Sequence, residues 1–166
     1  MNDQLALGVV WREVARRSQK SNDGSELGDA LSRVATGIAE DVATFEQIMD
    51  RLGIARSPLK PRLAIVGERL GRLKLNGRLR EYSPLSRFEE LDFLRMGIDG
   101  KLVLWQNLRD LAGLAARLPD VDFDRLIERA RQQRDEIELF RVEAGQQALG
   151  GAWSGSGTSS SLTASA

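Results

Sequence analysis

Apolar residues recur at steps of three and four along most of this chain, and strand-like alternation is nearly missing. Leu27, Leu31, Val34, Ile38, Phe45, Ile48 and Leu52 share one face of a helix predicted over 25–52. Gly53 supplies the left-handed residue that ends such a helix. Leu59, Leu63, Val66, Leu70 and Leu73 repeat the pattern over 58–75, opened by Ser57-Pro58 and closed by Asn76-Gly77. A longer stripe runs Leu85, Phe88, Leu91, Ile98, Leu102, Trp105, Leu108 and predicts a helix over 84–117. Ser83 is its N-cap, Pro84 its first helical residue, and Leu118-Pro119 marks its end. The last helix, 122–148, opens with Asp122 as cap, and Val121 and Leu126 are spaced for a hydrophobic staple. Its stripe is Phe123, Leu126, Ala130, Ile137, Phe140 and Ala144. The first helix, about 3–20, shows a face of Leu7, Val10, Trp11, Val14 and Ala15, then the polar turn SQKSNDGS.

Five helices are thus expected, the fourth on the order of 50 Å long and the second and fifth about 40 Å at 1.5 Å per residue. Helices this long with near-heptad stripes pack side by side. Short connections make helices one and two, and four and five, antiparallel hairpins, and the segment 54–83 becomes the long crossover between them. Two hairpins with one crossover is a ferritin-like topology, so the expected fold is an all-α, ferritin-like, up-down four-helix bundle with an additional short crossover helix. The bundle domain would span 1–149. Residues 150–166, GGAWSGSGTSSSLTASA, hold no charge and are mostly Gly, Ser and other small residues, which predicts a flexible tail, with a short docking peptide as the alternative.

Composition narrows the chemistry. The chain has 166 residues, no cysteine and no histidine. Disulfides, thiolate nucleophiles, Ser-His-Asp triads and imidazole metal ligands are therefore excluded within it. Any metal would be a hard cation held by carboxylates. The net charge of zero gives no global pull toward nucleic acid or anionic lipid. The basic residues near the N-terminus follow the short apolar run rather than precede it, unlike a signal peptide, and no apolar run approaches the ~20 residues of a membrane span. The expectation is a soluble, cytoplasmic protein with no cofactor.

The blocks IAEDVATFEQIMDRLGI, GRLKLNGRLREYSPLSRFEELDFLRMGIDGK and RARQQRDEIELFRVEA resemble a family of uncharacterised, mainly actinobacterial helical proteins. The resemblance covers roughly 1–149, and the GRLKLNGR…SPLSRFEELD block is its specific part. It implies a ferritin-like fold and no particular activity. Members often carry a histidine in the first helix where this chain has Gln4, a departure that weakens a metal role.

Among the residues themselves, weak metal candidates are Glu13, Asp41, Glu90, Asp92 and Asp99. A ferritin-like di-iron site needs Glu-x-x-His motifs, which this chain lacks. Asp41 and Arg95 sit inside apolar stripes, Asp41 between Ile38 and Phe45 and Arg95 between Leu91 and Ile98. A lone buried charge is costly, so the two are expected to pair, with Asp99 one turn on, and to set helix register. Between Arg56 and Arg80 lie eight basic residues and one acidic, and the anion-binding candidates are Arg62, Arg69, Arg72, Lys74, Arg78 and Arg80. Aromatics for stacking bases are not interleaved there. Pairing with Glu40, Asp41, Glu46 and Asp50 of the second helix, or with Glu89, Glu90 and Asp92 of the fourth, is the favoured reading. Gly97 and Gly100 inside the fourth helix point to close helix approach or a kink.

The reading that results is a non-enzymatic interaction or structural protein with a protein partner or self-association. The alternatives are a carboxylate-only metal binder and a binder of nucleic acid or other polyanions through 56–80.

Overall fold

The computed structural model of the chain describes residues 1–57 and 83–153, with side chains to 150. The helix predicted over 58–75, the six anion-binding candidates Arg62, Arg69, Arg72, Lys74, Arg78 and Arg80, and the tail past 153 lie outside these residues. The described residues form α1 (Asn2–Ser21), α2 (Glu26–Arg51), α3 (Pro84–Asp110), the one-turn α4 (Leu114–Arg117) and α5 (Phe123–Trp153), with no strand among them. No helix among them is long and apolar enough to cross a membrane.

Most helix ends sit where local chemistry puts them. The Ser25 hydroxyl accepts from the Gly28 N–H at 3.1 Å, and the Ser83 hydroxyl from Ser86 at 3.2 Å, each satisfying an orphan donor of the first turn. Asp122 does the same for Arg125 at 2.8 Å. Gly53 takes φ 66, and the Ile54 N–H reaches back to the Met49 carbonyl at 2.9 Å, closing α2 with a Schellman turn. Two boundaries differ from expectation. The helix predicted over 84–117 breaks after Asp110, because Gly113 adopts a left-handed φ of 61. That turn lets Leu114 and Leu118 swing into the core. The last helix runs past 148 to Trp153.

Cross-helix pairs fix the topology. Arg109–Asp124, Arg95–Glu138 and Arg141–Asp92 link α3 to α5 with numbers rising on one and falling on the other, so the two are antiparallel. Arg33–Glu136 and Glu40–Arg129 do the same for α2 and α5. Ser18 on Glu90, and Trp11 on Phe93 and Gly97, set α1 against α3. Asn2 clasps the chain after α2, donating to the Ala55 carbonyl at 3.1 Å and accepting from the Ser57 N–H at 2.9 Å. Four long helices therefore form a square in which every neighbouring pair is antiparallel and the diagonal α2 and α3 run parallel.

The apolar stripes meet in two clusters. One gathers Phe45, Ile48, Met49, Trp105, Phe123 and Leu126 with Leu114 and Leu118. The other gathers Leu31, Val34, Ile38, Leu91, Leu94, Ile98 and Ile137. In α1 the deeply buried positions are Leu5, Ala6, Ala15 and Ser18, whereas Leu7, Val10, Trp11 and Val14 of the predicted face are only half-buried.

Gly97 and Gly100 have different roles. A Cβ at Gly97 would drive into the Trp11 ring, so the missing side chain is what lets α1 and α3 approach. A Cβ at Gly100 would meet nothing within 4 Å. Gly97→Ala should therefore lose about 1–3 kcal/mol through overpacking, which outweighs a helix-propensity gain of up to ~1 kcal/mol. Gly100→Ala should gain roughly 0.5–1 kcal/mol. Urea unfolding of the two variants checks this, and equal midpoints would contradict the close approach.

Candidate functional site

Asp41 is 3% exposed and stands at the level where the two apolar clusters divide. Its carboxylate accepts from Lys101 Nζ of α3 at 2.5 Å and from Arg129 Nη2 of α5. Lys101 also donates to the side-chain oxygen of Gln133, itself 5% exposed, and Arg129 donates to Glu40 at 2.7 Å. Gly37 makes room for this layer, since a Cβ there would collide with the Gln133 amide. Three helices thus contribute to one polar layer inside an apolar bundle, and each buried charge has a partner, as burial demands. The Lys101 side chain is 12% exposed. Burial pushes its pKa below the ordinary 10.5, Asp41 opposes this through charge and hydrogen bond, and Arg129 adds repulsion in the same direction as burial.

The layer floors a cleft of about 340 Å³ between α1 and α3. Leu7, Gly8 and Trp11 form one wall, Gly97, Gly100 and Leu104 the other, and Phe45 and Trp105 the base beside Asp41 and Lys101. The half-buried face of α1 is this wall, which explains why Leu7 and Trp11 are not fully covered. Trp105 is 1% exposed, packs edge-on against Phe45 at 5.9 Å, and its indole N–H has no hydrogen-bond partner among the described residues. On the far side of the layer, Arg129 and Gln133 border an open polar groove with Arg33 and Glu136.

The expected pairing of Asp41 with Arg95 is corrected. Asp41 is buried as its stripe position required, but its cations are Lys101 and Arg129. Arg95, with a side chain 37% exposed, turns to Glu138 at 3.2 Å and Asp99 at 4.0 Å. Arg95 lies six residues before Lys101, which at 1.5 Å per residue is about 9 Å along α3 and off the level of Asp41. The remaining metal candidates do not converge. Glu13 pairs with Arg12 and Arg16, Glu90 accepts from Ser18, Asp92 pairs with Arg141, and Asp99 with Arg95. No group of three or more carboxylates able to hold a metal occurs among the described residues. Arg56, the one described member of the basic stretch, pairs with Glu46 at 3.7 Å and Asp50 at 2.8 Å, two of the acids expected to neutralise it.

Lys101, Arg129 and Gln133 were missed, although each left a trace. Lys101 falls three residues after Ile98 and four before Trp105, and Gln133 fills the gap between Ala130 and Ile137. Arg129 falls three after Leu126 and four before Gln133. All three are polar residues in phase with an apolar stripe, the same signal that singled out Asp41.

Asp41→Ala leaves two cations without their shared counter-charge and should cost about 3–5 kcal/mol in urea unfolding. Lys101 carries the pH signature. Its folded pKa lies below its unfolded 10.5, so between the two the folded state binds fewer protons and stability rises with pH. Unfolding free energies should rise as the pH climbs toward 10.5 in the native chain relative to Lys101→Met, and parallel curves would contradict the burial of a charged Lys101.

No protein-family model matches this chain, and neither a curated protein nor a solved structure does.

Proposed function

We propose that the chain is a non-enzymatic, cytoplasmic, ferritin-like bundle without iron chemistry that works by binding, and that it holds a small apolar molecule in the cleft between α1 and α3. The cleft carries this reading. Its volume of about 340 Å³ falls in the range of small-molecule sites, and a mainly apolar lining with a few polar groups between bundle helices is where such sites form. The ferritin-like assignment draws support from the square of helices. Because α2 and α3 run parallel, α2 ends and α3 begins at opposite ends of the bundle, as a single crossover between two hairpins requires. The resemblance of the quoted sequence blocks to actinobacterial helical proteins belongs to the same reading.

Binding is favoured over catalysis by what faces the cleft. The titratable groups there are Asp41 and Lys101, and they neutralise one another at 2.5 Å. A nucleophile with a free general base is not among them. The protein-partner expectation thus narrows to an apolar group of small-molecule size. Polyanion binding through 56–80 gains nothing from Arg56, whose charge is already met by Glu46 and Asp50.

Isothermal titration of the full chain with the neutral probe 4-butylbenzamide tests the reading. A Kd of about 1 mM or tighter is expected, as roughly 0.3 kcal/mol per heavy atom implies. Gly100→Phe places a ring in the open space at the cleft wall and should weaken the probe at least about tenfold, since it competes for the volume that buries the ligand. Absence of binding to the native chain, or equal binding by the variant, would overturn the cleft.

A further inference from the structure

We infer that the apolar groove between α1 and α3 seats the chain's own leucine face, Leu59, Leu63, Val66, Leu70 and Leu73, and that a small molecule enters the cleft in competition with it. The competition rests on the cleft reading, whereas the seat stands without it.

Two anchored ends fix the route. Ser57 is held at the start of α1, where its N–H donates to Asn2. Ser83 caps α3 at the other end of the bundle, beyond the level where Ser18 of α1 meets Glu90 of α3. Residues 58–82, which lie outside the described part, must therefore cover the length of the bundle. From Asn2 to Ser18 that length is about 24 Å at 1.5 Å per residue. A helix over 58–75, as the leucine spacing predicts, spans about 27 Å. Laid alongside α1 it makes the journey, and residues 76–82 are left to turn into α3.

Chemistry chooses between grooves on opposite faces of the square. The groove between α2 and α5 is polar, with Arg33 paired to Glu136 and Arg129 to Glu40 beside Ser32 and Thr36. Leucines laid there would take those ion pairs out of water without offering them a partner. The groove between α1 and α3 is apolar, walled by Leu7, Trp11, Met96 and Leu104. Met96 is 62% exposed and Val103 beside it 52%. A leucine face seated there removes apolar surface from water on both sides, which is the main force that docks an amphipathic helix.

Register agrees with the shape of the groove. Trp11 lies against Gly97, so Gly8 and Gly100, one turn nearer the start of α1, share a level. Gly8 follows Asn2 by as many residues as Leu63 follows Ser57, so a helix parallel to α1 brings Leu63 to that level. Gly100 faces open space there, which is room for a leucine side chain. Val66 then comes to the level of Trp11, and Leu73 to that of Ser18.

Because the chain has no cysteine, engineered thiol pairs report the contact. Gly100→Cys is combined with Leu63→Cys or with Leu73→Cys, and Leu63→Cys with Leu139→Cys on the outer face of α5. Each pair is treated with a bismaleimide that reaches about 8–10 Å, the spacing of packed helices. Positions 100 and 63 should link within one chain at least about tenfold faster than either other pair, since Leu73 stands roughly 15 Å further along. Equal rates for the three pairs, or links between two chains instead of within one, would overturn the seat. Leu63→Ser should bind 4-butylbenzamide about fivefold or more tighter than the native chain in calorimetric titration, as removal of a competing state requires. Unchanged affinity while positions 100 and 63 still link would overturn the competition. If they link and neither chain binds the probe, the seat stands and the small-molecule reading falls.

Discussion

A single carboxylate on α2 ties three helices together. Asp41 meets Lys101 from α3 and Arg129 from α5, and Lys101 in turn meets Gln133 on α5. Apolar contacts alone would let these helices slide by a turn, since a stripe of leucines fits another stripe at several levels. A buried ion cluster does not tolerate sliding, because every wrong level strands a charge in the apolar interior. The layer therefore sets the level of α2, α3 and α5, at some expense in stability relative to a fully apolar core, and it divides that core into two clusters.

The fit around the layer depends on residues that are small where a neighbour is large. Gly37 admits Gln133, Gly97 admits Trp11, and Gly145 lies against Phe88, whose ring a Cβ would meet at 3.0 Å. Where α1 touches α3 at Gly97 the helices close up, with the Trp11 ring tilted against Phe93 at a centroid distance of 4.2 Å. One turn further along α3, Gly100 faces open space, and there the cleft begins. Two of the charges that hold the register, Asp41 and Lys101, thus become part of the floor of the apolar recess between α1 and α3. Structure and proposed binding are joined at Asp41 and Lys101, so a change at either alters both.

Much of this bundle is legible in the chain because the forces involved are local. Helix ends at Ser25, Ser83, Gly53 and Asp122 follow from capping groups and a left-handed glycine within a few residues of each boundary. The break at Gly113 was not anticipated, since an isolated glycine in a helical pattern is often tolerated and only the burial of Leu114 and Leu118 rewards the turn. The polar residues of the layer were legible as a class and not as a set of partners. Periodicity tells which face of a helix a residue occupies, and Asp41, Arg95, Lys101, Arg129 and Gln133 all qualify.

By itself, then, the chain determined its helices, the stripes that bury them, the need of Asp41 for a counter-charge, and the exclusion of histidine and cysteine chemistry. Those follow from composition and from contacts no more than about two turns apart. The tertiary structure decided that the counter-charges are Lys101 and Arg129 rather than Arg95, and that α1 and α3 part below Trp11 to leave a cleft. Both depend on how far one helix is shifted along another. That shift is settled by the packing of all four helices at once, and no local spacing encodes it.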